Sequence, residues 1–350
     1  MSEGAARRAS QFGQTRSERG GTAGLYAALD LGTNNCRLLV ARPTAEGFRV
    51  IDAFSRIVRL GEGLSQTGRL SEAAIARTIE ALRICRDKMA SRGVARARLI
   101  ATEACRAAEN GAAFLAEVRE RLGMQLEIVD RETEAALAVA GCGELADREA
   151  ESIVLFDIGG GSSEIIWLNR GSPEASMSTR IEAWESLRLG VVSLAEQFGG
   201  DDVTPEIFSA MTQHVVEALA PFAARVAGHR RCMRFHLLGT SGTVTTIAGV
   251  HLDLPRYDRR VVDGLWLSSA EVDATMSRLR GMTYAERAAN ACIGVERADL
   301  VLAGCAILEA IRSHFPADRI RIADRGLREG ILTQMMRADR VGPHARSLGR

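Results

Sequence analysis

Short apolar runs, each cut by glycine, alternate along this chain with longer stretches of helical spacing. Tyr26-Ala-Ala-Leu-Asp30 predicts a buried strand, which Gly32-Thr33-Asn34-Asn35 interrupts and Arg37–Ala41 resumes. A turn at Pro43–Gly47 leads into a third strand, Phe48–Arg56. Over Ser71–Met89 the apolar positions Ile75, Ile79, Leu82 and Met89 share one side of a helix, with Ser71 as its N-cap. Arg98–Thr102 predicts a strand, Ala112–Leu122 a helix, Leu126–Val129 a strand and Glu132–Gly141 an alanine-rich, buried helix.

The pattern then restarts. Ser152–Asp157 is a second buried strand, broken by Gly159-Gly160-Gly161-Ser162-Ser163 and resumed by Glu164–Leu168. Strand, aspartate, glycine-rich turn and strand thus occur twice, 127 residues apart, a spacing that signals a duplicated domain rather than a solenoid. Thr204 caps a helix that starts at Pro205, and Pro221 is expected to end or kink it. Phe235–Leu238 predicts a strand followed by a third glycine-rich turn, Gly239–Thr243, which opens a helix. Helices over Ala270–Arg280, Asp299–Arg312 and Gly326–Arg337, with a strand at Arg319–Ala323, complete the pattern. The fold class is therefore α/β, two domains with mixed sheets. We place their bounds at 25–133 and 134–340, the last helix being free to pack back on the first domain. Residues 1–24 and 341–350 read as tails, the first disordered by its Gly/Ser/Arg composition.

Composition removes several functions. Forty-five basic residues against 44 acidic leave no field for nucleic acid or an anionic membrane. No apolar stretch approaches the ~20 residues of a bilayer crossing, and Met1–Gly24 has no secretory h-region. Lys88 is the sole lysine and lies outside any G-K-[ST], which excludes a Walker-type P-loop and a Schiff-base lysine. Phosphate, if handled, falls to arginine and backbone amides. Seven cysteines without a C-x-x-C pair favour a reducing cytoplasm. The six histidines show no metal-ligand spacing, so a carboxylate is the expected base.

The glycine turns carry the chemistry. In Asp30-Leu-Gly-Thr-Asn-Asn-Cys-Arg37, Gly32 lets the backbone turn around an anion, Thr33 and Asn34 add donors, and Arg37 adds charge; a plain hairpin turn is the alternative. Gly159, Gly160 and Gly161 imply a close approach of backbone to something, with Ser162 beside them. Asp157 and Glu164 flank that turn from paired strands, an arrangement suited to a hydrated Mg²⁺. Gly239, Thr240, Ser241 and Gly242 form a third candidate cradle. Arg106 follows a strand end, where it either grips phosphate or lies on the surface. Glu132 and Glu134 open a helix about 200° apart, so one of them can face a cleft, as a base or only as a dipole partner.

From Tyr26 to Arg337 the chain resembles the exopolyphosphatase / guanosine pentaphosphate phosphatase (Ppx/GppA) family of the actin–Hsp70–sugar kinase superfamily. The resemblance rests on the motifs above with Ala101-Thr-Glu-Ala-Cys-Arg106, Glu132-Thr-Glu-Ala135, Arg297-Ala-Asp-Leu300 and Ala323-Asp-Arg-Gly-Leu-Arg-Glu-Gly330. It implies two ribonuclease-H-like domains around a cleft, and Mg²⁺-dependent release of terminal phosphate from polyphosphate or pppGpp. It further implies Glu134 as the base for the attacking water, Asp157 and Glu164 as metal ligands, and Thr102 and Arg106 as contacts to the phosphates. A homodimer is the implied assembly. The usual S-G-x-E-E-A is here Asp130-Arg-Glu-Thr-Glu-Ala135, and the chain has the length of a short form without the C-terminal helical domain that carries an H-D motif. A superfamily kinase or ATPase, and a non-catalytic actin-like or ppGpp-binding protein, are the competing readings.

Overall fold

The computed structural model describes residues 24–169, 180–230 and 234–339. The two expected tails lie outside these bounds, Gly24 excepted. Two mixed sheets share one strand order. The first runs β3-β2-β1-β4-β5, with β1 Leu25–Leu31, β2 Asn35–Thr44, β3 Gly47–Ile57, β4 Val94–Ala101 and β5 Glu127–Ile128. The second comprises β6 Ser152–Ile158, β7 Ser163–Asn169, β8 Ile181–Leu187, β9 Phe235–Thr240, β10 Trp266–Ser268 and β11 Arg319–Ala323. Its order β8-β7-β6-β9-β11 repeats the first, and the short β10 extends the edge beside β11. In both sheets three antiparallel strands are followed by two that run parallel to the first. The architecture is a duplicated ribonuclease-H-like fold.

Strand periodicity assigns the faces. Leu25, Ala27, Leu29 and Leu31 turn outward onto Ile79 and Leu82 of the Glu72–Ser91 helix and Phe114 and Val118 of the Gly111–Leu122 helix. Tyr26 and Ala28, with Leu39 and Ala41, turn inward onto Ile331, Leu332 and Met335 of the Leu327–Ala338 helix. In the second sheet Ile153 and Leu155 face inward onto Ala135, Ala138 and Val139 of the Arg131–Cys142 helix. Two helices therefore lie between the sheets and serve both. They run antiparallel at backbone contact: a Cβ on Gly141 would sit 2.0 Å from the Gly326 carbonyl oxygen, and one on Gly330 2.1 Å from that of Leu137.

The same periodicity aims the chemistry. Asp30 continues the inward face of β1 and Arg37 that of β2, while Asp157 and Glu164 do the same on β6 and β7. All four stand at strand ends beside the gap between the sheets.

Two expectations need correction. The Pro205–Val226 helix does not stop at Pro221. Its buried stripe Phe208, Met211, Val215, Leu219 continues through Phe222 and Val226 into the core, and this burial outweighs the one hydrogen bond that proline removes. The third glycine turn is also shorter than its sequence suggests. β9 runs to Thr240 and the next helix starts at Gly242, which leaves Ser241 between them at φ 79°.

Candidate active site

The two hairpins end alike. Gly32 N–H donates to the Asn35 carbonyl and Gly159 N–H to the Ser162 carbonyl, each at 2.9 Å, so each closes on a two-residue tip. The tips are Thr33-Asn34 and Gly160-Gly161, and they pack on one another. A Cβ on Gly160 would lie 3.1 Å from Asn34 N, and one on Gly161 2.6 Å from Thr33 Oγ1. The close approach that the glycines imply is thus made first of all to the other hairpin. Because Gly32 and Gly159 spend their amides on their own turns, those two N–H groups are not available to an anion.

The next amides are. Val191 N–H donates to the Gly159 carbonyl at 3.0 Å and Val192 N–H to the Gly160 carbonyl at 2.8 Å, where the Val191–Phe198 helix docks on the tip. In a trans peptide the N–H points opposite to the preceding C=O, so the Gly160 and Gly161 amides point away from that helix. Both residues line a cavity of about 870 Å³ between the two halves. Its wall includes Asp30, Gly32, Thr33, Asn34, Arg37, Thr102, Glu134, Asp157, Gly159, Ser162, Glu164, Thr240, Ser241 and Gly242, nearly every residue singled out in the sequence.

Two singled-out residues stay outside this wall. Gly239 is a β9 residue packed against Phe156, where a Cβ would lie 2.6 Å from the ring. Arg106 is committed elsewhere: it donates to Glu103 and to the Val129 carbonyl, and its Nη1 lies 2.7 Å from Glu134 Oε2. Glu103 is held in turn by Arg131, at 2.9 and 3.0 Å to its two carboxylate oxygens. Arg131 thus brings a second cation to Glu103 and steadies the Glu103–Arg106 pair.

The helix dipole and cap decide between the two glutamates. Asp130 caps the Arg131–Cys142 helix by accepting from Thr133 N–H at 2.7 Å. Glu132 is left exposed and Glu134 is buried on the cavity side. Glu134 Oε2 is buried against the Arg106 guanidinium, and the residue lines the cavity wall. Burial raises the Glu134 carboxyl to about 9, Glu164 adds to the rise, and the Arg106 charge opposes it.

Asp157 and Glu164 are direct cross-strand partners. Burial pushes Asp157 up to about 6, with Arg37 opposing, and Glu164 up to about 7, with Asp157 adding to its rise. Ser162 and Ser186 each donate a hydroxyl to Glu164 Oε1, at 2.9 and 2.8 Å. Two paired acids, both raised by burial and one also by the other's charge, fit a cation between them. Among the described residues no three His, Cys, Asp or Glu side chains form a ready metal cluster. A cation here would use one or two carboxylates, with water or ligand oxygens for the rest, which is the coordination that Mg²⁺ favours.

Sequence reasoning missed part of the wall. Tyr257, Arg297, Asp324 and Arg328 also line the cavity. Three of them belong to the two late motifs, whose residues carry no role until the fold brings them to the gap. Tyr257 lies in no recognisable motif; its hydroxyl donates to Asp324 at 2.7 Å.

Comparison with known proteins agrees with this architecture. Residues 39–339 match the model of the Ppx/GppA phosphatase family, and the chain belongs to that family. Exopolyphosphatase 2 of Mycobacterium tuberculosis, in strains CDC 1551 / Oshkosh and ATCC 25618 / H37Rv, is 32% identical over 320 residues, covering 87% of this chain and 96% of the relative. The crystal structure of an exopolyphosphatase-like protein aligns with TM-score 0.80 at 28% identity, over 90% of this chain and 99% of its own. The Aquifex aeolicus family member aligns with TM-score 0.72 at 25% identity, over 90% and 98%.

Proposed function

We propose that this chain is a Mg²⁺-dependent phosphohydrolase that releases the terminal phosphate of inorganic polyphosphate, with pppGpp as a second substrate offering the same anhydride-linked terminus. One observation carries the reading: a buried glutamate, Glu134, ion-paired to Arg106, lines the same cavity as both glycine hairpins. The name and coverage of the mycobacterial relative favour polyphosphate.

In its ionised form Glu134 orients a water for in-line attack on the terminal phosphorus and takes its proton. Arg106, set in place by Glu103, favours the ionised form of that base and holds its carboxylate. The amides of Gly160 and Gly161, the Thr33 hydroxyl and Arg37 receive the phosphate oxygens. Mg²⁺ held through Asp157 and Glu164 would neutralise phosphate charge and relieve the crowding of acids. Six described cysteines are free and buried, in keeping with a reducing cytoplasm, and a homodimer is the assembly to test by light scattering. No helix among the described residues is long and apolar enough to cross a membrane.

The test is phosphate release with Mg²⁺ from short polyphosphate, long polyphosphate, pppGpp and ATP. Polyphosphate should be cleaved without any nucleotide, and Glu134→Gln should lose on the order of 10²–10⁴-fold in kcat. Near-normal turnover by that variant removes Glu134 from the role, and ATP as the sole substrate would restore the kinase or ATPase reading.

A further inference from the structure

Arg287 is buried on the carbonyls of Met282, Gly200 and Asp201, and several other enclosed guanidiniums in this fold have a carboxylate partner. Arg106, Arg131, Arg259, Arg312 and Arg325 each face one within 3 Å. Arg328 does not. It is half-buried in the first turn of the Leu327–Ala338 helix and lines the cavity, yet it makes no ion pair or hydrogen bond among the described residues.

The neighbouring acids are engaged elsewhere. Glu329 accepts from Arg259 at 2.8 Å and from the Gly326 amide at 2.9 Å. Asp324 accepts from the Tyr257 hydroxyl. The remaining acid whose charge acts on Arg328 is Asp30, which also feels Arg37. Arg37 is likewise without an ion pair among the described residues and adds like charge beside Arg328. An enclosed cation without a partner is costly, and a fold keeps it where a ligand completes the pair.

We propose that Arg328 is a further phosphate ligand of this site, its guanidinium taking oxyanions of the bound phosphoanhydride in place of the carboxylate partner that the fold withholds. The inference rests on the phosphohydrolase reading and adds to it a residue from a second structural element. Arg37 approaches from the first hairpin and Arg328 from the helix between the sheets, so the phosphate chain is gripped from two elements. The planar fork of arginine, with two parallel N–H donors, suits this task better than a lysine.

Two readouts separate a ligand from a structural residue. Binding of Mg²⁺-tripolyphosphate is measured by calorimetry in Glu134→Gln protein, where no turnover intervenes. Adding Arg328→Gln should weaken it about 10–100-fold, the range of a charge-assisted hydrogen-bonding contact. The melting temperature of the ligand-free protein should not fall, because a charge without a partner has been removed. Arg328→Lys keeps the charge and should bind with intermediate affinity, and it stands as the second variant if the glutamine protein fails to fold. Affinity within twofold of the parent, in whichever variant folds, overturns the assignment, as does a lower melting temperature with binding intact. If Glu134→Gln protein binds no tripolyphosphate and the unmodified protein frees no phosphate from polyphosphate, the function itself falls, a result distinct from a silent Arg328.

Discussion

The two halves are one topology with opposite charge at equivalent places. In the first hairpin Asp30 on β1 stands across from Arg37 on β2. In the second, Asp157 on β6 stands across from Glu164 on β7. The register is the same, the inward face is the same, and each turn is closed by the same glycine hydrogen bond. One pair balances an acid with a base and leaves a guanidinium facing the cavity. The other stacks two buried acids whose protonation is favoured until a cation arrives. Duplication supplied the frame, and a single cross-strand position distinguishes the half whose pair carries opposite charges from the half whose pair carries two acids.

Three experiments sharpen or break that division, and the largest effect is expected at the acidic pair. Glu164→Gln should lower kcat on the order of 10²-fold and demand more Mg²⁺ for half-maximal rate, since a preorganised electrostatic group is lost. An unchanged Mg²⁺ titration would mean that the second hairpin does not hold the cation. Arg37→Gln should act mainly on KM, raising it about 10-fold or more through loss of a charged contact to phosphate, with Mg²⁺ dependence preserved. A shifted Mg²⁺ requirement in that variant would blur the two roles into one.

The smallest effect is on ligand-free stability. Asp157 and Glu164 have carboxyls raised to about 6 and about 7 in the fold, against about 4 in an unfolded chain. Between those values the folded state binds more protons than the unfolded state, so stability falls as pH rises. Melting temperature should therefore decline from about pH 4 to about pH 7, and Asp157→Asn or added Mg²⁺ should flatten the slope. A melting temperature that climbs over this window would show that these acids are not crowded.

Much of the frame is legible in the chain because it depends on local signals. The buried runs at Tyr26–Asp30 and Ser152–Asp157, each followed by a glycine turn, announce both hairpins, and Asp157 and Glu164 pair in the register their spacing predicts. β8 was not legible: Ile181–Leu187 is a half-exposed edge strand whose alternation is diluted by Glu182 and Glu185. The Val191–Phe198 helix, which turns the Gly160 and Gly161 amides outward, opens on Gly190 without a side-chain cap to mark it. Ion pairing is harder still to foresee. Nothing in Ala101-Thr-Glu-Ala-Cys-Arg106 says that Arg106 will be drawn to Glu134, because the attraction crosses from one structural element to another. Nor does the Leu327–Ala338 segment reveal that Glu329 will be claimed by Arg259 and its neighbour Arg328 left without a carboxylate.

Glycines 141, 326 and 330 bring two helices to backbone contact and so set the gauge of the chamber. Each of the two helices they join carries a charged wall residue near its start, Glu134 on one and Arg328 on the other. A methyl group at position 141 must wedge the rods apart, and Glu134 rides on the displaced rod about 10 Å along its axis. Such a lesion would widen the span between proton acceptor and guanidinium, so that a silent-looking alanine far from the chemistry detunes the enzyme as a whole.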